Sequence, residues 1–413
     1  MNAFRCGAVA VLVLLTLPLA IEAQRPSADW PQWRGPNRDG TAAAFAVPQT
    51  WPETLVQRWK ADVGLGYATP LVVGDRIYVF SRRGENETMS ALDAQTGKEL
   101  WQTGYAAEFT MNNAAARHNK GPKSTPVFTN GTLLSIGMTG VVTAFDAATG
   151  KQLWQKPGSL PVPLYTSHAF SPLVDRGVAI FHLGGHDKGA LTALDVATGA
   201  VKWSWTGDGP GYGSPIVAEL GGVRQVITIT QAKVVGVDIS NGTLLWERPY
   251  VIPSTSNSNT PLLHGQTVIV SGNGGPTVAF TVAKNGNQWT TTNVWENPDI
   301  PLRLTNGVLV GDLLFGLTNR NAGQYFGVDA KSGKTLWLSP GRQAGNAAIE
   351  KAGDFLFSLE DDGDFVVARS SQTAFDQIRK YKVAEGDTWA EAALSGNRIF
   401  VKDLNTVTLW TLN

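Results

Sequence analysis

Ala91-Leu92-Asp93-Ala94-Gln95-Thr96-Gly97-Lys98-Glu99-Leu100-Trp101 decides the fold, because its spelling returns along the chain. The same spacing recurs as Asp146, Gly150, Trp154, then Asp195, Gly199, Trp203, then Asp238, Gly242, Trp246, and finally Asp329, Gly333, Trp337. In all five copies Gly follows Asp by four residues and Trp follows Asp by eight. Recurrence at a fixed period marks a repeat architecture. Asp accepts hydrogen bonds from turn amides and Gly takes the left-handed conformation of a bulged hairpin, so each triplet is a tight turn with Trp on the strand that follows. A side chain of that size buries a large area between one sheet and the next.

Each repeat opens with a small residue before proline: Thr69-Pro70, Thr125-Pro126, Ser171-Pro172, Ser214-Pro215 and Thr260-Pro261. Proline cannot donate to a ladder and so favours an edge strand, here the innermost strand of a blade, where narrow side chains suit a crowded axis. A turn and an alternating strand come next, as in Gly74 to Val79, then a third strand leading into the Asp-to-Gly turn. Aromatic markers of the outer strand fall at Trp59, Trp101, Trp154, Trp203, Trp246, Trp295, Trp337 and Tyr381. The expected fold is all-β, an eight-bladed β-propeller of four-stranded antiparallel blades. Residues 392–412 supply only three strands, and Leu55 to Val63 supply an isolated outer strand. Pairing this N-terminal strand with the last blade closes the ring and removes an exposed edge.

Lys plus Arg and Asp plus Glu both number 34, so no bulk charge attracts a polyanion, and nucleic acid is not an expected partner. Arg5 and the apolar run Ala8 to Leu17 read as a signal peptide over residues 1–23, cleaved after Ala23, with an extension over 24–49 and the propeller over 50–413. No later run is long enough to span a membrane, so a periplasmic or secreted bacterial monomer is expected. Cys6, the only cysteine, lies in the signal, which leaves no thiol chemistry for the mature chain.

The Ala-Leu-Asp-Ala-x-Thr-Gly-Lys-x-Leu-Trp pattern of residues 91–101 resembles the repeat of pyrroloquinoline-quinone-type propellers. Asp29-Trp30-Pro31-Gln32-Trp33-Arg34-Gly35-Pro36-Asn37-Arg38-Asp39-Gly40 is similar to a signature of exported, non-dehydrogenase members. That group includes the propeller lipoprotein that helps insert β-barrels into outer membranes, as well as quinoprotein dehydrogenases. The resemblance implies a non-catalytic binding or scaffold protein without a cofactor, whose partner is an extracytoplasmic protein or a small ligand. The second implied reading is a dehydrogenase of alcohols or sugars that uses pyrroloquinoline quinone and calcium. Such enzymes carry adjacent cysteines and a calcium site beside a catalytic Asp. Glu360-Asp361-Asp362-Gly363-Asp364 is the nearest acidic candidate, read as a solvated hairpin and not a metal site.

In a propeller the connections between blades and the hairpins joining second to third strands share one face. They supply the candidate ligand face: Tyr67, Arg117, His118, Lys120, Tyr165, His168, His182, His186, Tyr212, Asn257, Arg303 and Trp389. His182, His186, Asp187 and His168 offer metal-ligand or acid-base chemistry, although the four-residue spacing crosses a turn. Arg117, His118 and Lys120 offer charge-assisted bonds to an anion. Tyr67, Tyr165, Tyr212 and Trp389 offer stacking surfaces or inter-blade packing. No catalytic residue is assigned, and the repeated Asp, Gly and Trp are structural, because residues repeated from blade to blade cannot all be catalytic.

Overall fold

The computed structural model describes Met1 and residues 27–158, 165–253, 257–304 and 306–413; the expected signal lies outside them. The described chain forms eight four-stranded sheets, each antiparallel and in up-and-down order. Blade 1 runs from axis to rim as Leu71–Val73, Arg76–Arg83, Asn86–Asp93 and Glu99–Ala106. Blades 2 to 7 repeat the plan over residues 127–156, 173–205, 216–249, 262–297, 308–338 and 347–382. Blade 8 joins Ala393–Ser395, Arg398–Lys402 and Thr406–Thr411 to Val56–Asp62, which pairs antiparallel with Thr406–Thr411. The circle is therefore shut by the strand expected to shut it.

The recurrent triplet builds both the turn and the joint to the neighbouring blade. Asp93 Oδ1 accepts from Thr96 N at 2.8 Å and from Thr96 Oγ1 at 2.7 Å. Asp146, Asp195 and Asp329 hold Thr149, Thr198 and Ser332 in the same way. Every Trp of the series but Trp246 then reaches the turn of the next blade. Trp59 Nε1 donates to Ala94 O at 3.2 Å, Trp154 to Val196 O at 2.9 Å, Trp203 to Ile239 O at 2.9 Å and Trp295 to Ala330 O at 2.8 Å. Glycine in that turn serves twice. Gly97 and Gly333 have φ of 71° and 72°, and a Cβ there would lie 2.6 Å from Trp59 Cε3 or 2.5 Å from Trp295 Cδ2.

A one-residue bulge immediately precedes the Trp, so that Trp101 faces Ala91, Trp203 faces Ala193 and Trp337 faces Gly327 across the sheet. Blade 7 differs: its bulge sets Arg379 opposite Val367, whereas Tyr381 faces Phe365 and donates to Pro52 O at 2.6 Å. Tyr381 is thus buried in the last joint but is two residues out of register with the Trp series. Blade 5 lacks the Asp-Gly turn, and Trp246 of blade 4 donates instead to Gln225 Oε1 in its own sheet, at 2.5 Å.

Around the axis the residues before proline form a belt. Glu391 N donates to Thr69 Oγ1, Thr69 N to Thr125 Oγ1, Thr125 N to Ser171 Oγ and Ser171 N to Ser214 Oγ, at 2.9–3.2 Å. Thr260 N continues the scheme to Asn306 Oδ1 at 2.6 Å. The proline nitrogen has no proton to offer, so the residue before it supplies the amide while the next blade's side chain accepts.

Residues 29–46 fill the channel. The segment enters beside the blade 1 turn, where Asp29 Oδ1 accepts from Gly74 N, and Trp30 bridges Val72. Pro31 O accepts from Phe128 N of blade 2. The Arg38 guanidinium donates to Ser171 O and Pro172 O of blade 3 and to Pro215 O of blade 4, at 2.9–3.1 Å. Trp33 Nε1 donates to Thr260 Oγ1 of blade 5 at 3.1 Å, and Arg34 Nη2 to Gly307 O of blade 6 at 2.8 Å. Gly40 and Ala42 pair with Lys351 of blade 7, Arg34 N meets Glu391 Oε2 at 2.8 Å, and Ala46 N reaches Gly396 O in blade 8. One irregular segment therefore touches all eight blades. Arg34 and Arg38 adopt left-handed backbone, with φ of 59° and 58°, a cost of order 1–2 kcal/mol each that these bonds offset.

Candidate functional site

Above the segment, on the face carrying the inter-blade connections, a cavity of about 400 Å³ opens at the channel mouth. Trp33 belongs to its floor. Its walls come from every connection except that between blades 6 and 7, with Tyr67, His118, Lys123, Tyr165, Tyr212, Ser258, Arg303, Asn306 and Trp389, plus Asn273 from a blade 5 hairpin. The aromatic groups touch one another. The His118 ring stands edge-on to Trp389 at 5.0 Å between centroids and to Tyr165 at 6.4 Å, and Tyr67 lies 6.3 Å from Trp389. Tyr165 N donates to Tyr212 Oη at 3.1 Å, fixing one wall against another.

Two cations face this lining. Lys123 Nζ donates to Asn119 O and Gly121 O, both at 3.0 Å, and lies 6.0 Å from the centre of the Tyr67 ring. Burial, reinforced by Arg82 and opposed by Glu87, brings its pKa down to about 7. Arg303 is half-buried, and among the described residues it makes no hydrogen bond or ion pair. Burial also pushes the Tyr67 hydroxyl up to about 12, with Asp387 adding to the effect. No Asp or Glu is among the described residues lining the cavity. The arrangement is a shallow aromatic cup with a positive side, suited to holding a flat group and an anion.

Of the residues expected on the ligand face, Tyr67, His118, Tyr165, Tyr212, Arg303 and Trp389 come together here. The others do not. His168 is fully buried, and burial together with His182 lowers its pKa to about 3. His182 is equally buried, contacts Asp208 O at 3.1 Å through Nε2, and is lowered to about 4 by burial. His186 packs edge-on against Tyr212 at 5.6 Å, behind the wall. Asn257 is fully buried, where its Nδ2 donates to Thr230 O and Gln231 O at 3.0 and 3.1 Å; it braces a loop. Lys120 is exposed, with Nζ 3.8 Å from Glu85. Arg117 falls in the short helix Asn113–His118, and its side chain lies outside what is described. Among the described residues the histidines form no group of three ligand atoms in metal-binding range.

The acidic hairpin differs from a solvated turn. Glu360, Asp362 and Asp364 place carboxylate oxygens within 4.8 Å of one another, but Glu360 is fully buried and accepts from Tyr325 Oη at 2.7 Å. Lys380 Nζ lies 2.9 Å from both Glu360 and Asp364, supplying the positive charge the cluster needs. Sequence reasoning missed Trp33 and Lys123 as lining residues. Trp33 sat in a segment noted only as a signature, and Lys123 lay three residues past Arg117-His118-Asn119-Lys120 in the same connection.

A family model described as "Outer membrane protein assembly factor BamB" matches residues 50–111 and 85–339. The chain belongs to this family. A BamB from Burkholderia pseudomallei is 27% identical over 297 residues, covering 62% of this chain and 74% of the relative. The BamB crystal structure from Moraxella catarrhalis superposes with a TM-score of 0.63 at 16% identity, covering 87% of this chain and 98% of that one, a likeness of fold. The dehydrogenase subunit of a quinone-type alcohol dehydrogenase from Acetobacter aceti is 33% identical over 163 residues, but these are 36% of this chain and only 21% of that protein.

Within this BamB-type family, the channel mouth does not fit the quinone and calcium of the dehydrogenase reading. Calcium takes roughly six to eight oxygens with carboxylates among them, and the described lining offers amides, hydroxyls, rings and cations in place of a carboxylate.

Proposed function

We propose that this chain is an exported, non-catalytic propeller that holds a partner outside the cytoplasm through its connection face, in the service of outer-membrane protein assembly. The observation that carries this reading is the aromatic and cationic cup at the channel mouth, closed beneath by residues 29–46 and with no carboxylate among its described lining residues for acid-base work or calcium. The family match supports the assembly role, and the short overlap with dehydrogenases gives little support to the enzymatic one. Among the described residues no helix is long and apolar enough to cross a membrane.

Two measurements test the proposal. A strain lacking the chain should show less folded outer-membrane porin, scored by heat-shifted mobility in gels, and a copy with Tyr165→Glu should restore it less well than the unaltered chain. Tyr165 is 37% exposed at the rim, so the substitution alters the face without opening the core. Dye reduction with alcohols after addition of pyrroloquinoline quinone and calcium should stay at background. Turnover in that assay, or full porin folding without the chain, would overturn the proposal.

A further inference from the structure

We infer that the channel-mouth cup is a binding site for an aromatic carboxylate, its ring held among Trp33, Tyr67, Tyr165 and Trp389 and its carboxylate met by Arg303 with Lys123 behind it. The inference rests on the reading of this face as a binding face and deepens it by naming the ligand chemistry.

The first observation is Arg303. A guanidinium carries five donors and stays charged, so in protein surroundings it is normally met by carboxylates or carbonyls. Arg38 in this molecule shows the rule, spending its donors on three backbone carbonyls and Gln32. Arg303 is half-buried in the lining and has no such partner among the described residues. The second is Lys123, held deep in the wall beside Tyr67, where its charge is poorly solvated. Among the described residues the lining carries no Asp or Glu, and the one carboxylate felt by Lys123, Glu87, stands outside it. The third is the ring of aromatic faces, whose shape and quadrupoles select a flat group. A volume of about 400 Å³ admits one or two fused rings with a short acidic arm and lies at the small end of ligand cavities. The carboxylate can belong to a free aromatic acid or to the terminal residue of a peptide; both present a planar ring beside an anion.

The experiment is calorimetric titration of the full chain with four probes: indole-3-acetate, its neutral amide indole-3-acetamide, Gly-Gly-Phe, and the same peptide amidated at its carboxyl end. The acid forms should bind at least about tenfold more tightly than their amides, the ratio expected of a charge-assisted pair. Arg303→Gln, which removes no bond among the described residues, should abolish that preference by weakening the acids far more than the amides, with thermal stability unchanged. Tighter binding of Gly-Gly-Phe identifies a chain end as the natural source, and tighter binding of indole-3-acetate a free acid. Equal affinity for acid and amide, or no heat from any probe, overturns the inference. If porin folding still depends on Tyr165 in that event, the face reading stands while the ligand assignment falls.

Discussion

At the scale of single residues, the repeat is a lock in which one blade's indole is the bolt and the next blade's glycine the slot. Trp203→Ala should cost about 3–5 kcal/mol, as loss of a large buried aromatic does. Gly333→Ala forces a methyl group against the Trp295 ring and demands left-handed backbone of alanine, so a loss of about 1–3 kcal/mol is expected. Chemical denaturation measures both. Two buried imidazoles set the acid limit. His168 and His182 have folded pKa values of about 3 and 4, below the 6.5 of an unfolded histidine. The unfolded chain therefore binds more protons, and stability falls as pH drops from 6.5 through that range. Glu350 acts in the opposite sense. Burial and neighbouring Glu391 raise it well above 4.5, so stability declines as pH climbs past that value. Glu350→Gln should therefore stabilise the protein at pH 8 and have little effect at pH 4, read from melting temperatures. The Asp-Gly-Trp triplet was legible because it recurs with fixed spacing, whereas nothing near His168 or His182 distinguishes a core histidine from a ligand.

At the scale of elements, the belt of hydroxyls explains why a small polar residue, not merely a small one, stands before each proline. Ser171→Ala removes the acceptor for Thr125 N and should destabilise by about 1–3 kcal/mol, the usual cost of a buried donor left unpaired, whereas Ser171→Thr should be far milder. The strands themselves could be read from alternation and turn chemistry. The segment over 29–46 could not, because its partners are inner strands from all eight blades and no local pattern encodes them. The candidate site divides on the same ground. Connections could be assigned to one face from topology, which gathered Tyr67, His118, Tyr165, Tyr212, Arg303 and Trp389, but side-chain direction within a loop is set by its neighbours and sent Asn257 and the other histidines inward.

At the scale of the whole molecule, two closures act together: the outer strand Val56–Asp62 zips onto Thr406–Thr411, and the axial segment ties the inner edges. Removing residues 55–63 should leave blade 8 with an open edge and spread thermal unfolding into a broad, low transition, visible by calorimetry. The first joint pairs the beginning of the chain with its end, and the second ties the beginning to every blade, so both depend on contacts distant in sequence, which makes for slow completion of the ring. The route of the axial segment also gives the disc a polarity. It comes in beside Gly74 and goes out beside Gly396, both in turns remote from the cavity. An attachment made at Ser27 itself meets the underside beside Gly74, so the molecule can be immobilised there with the cup still facing solution.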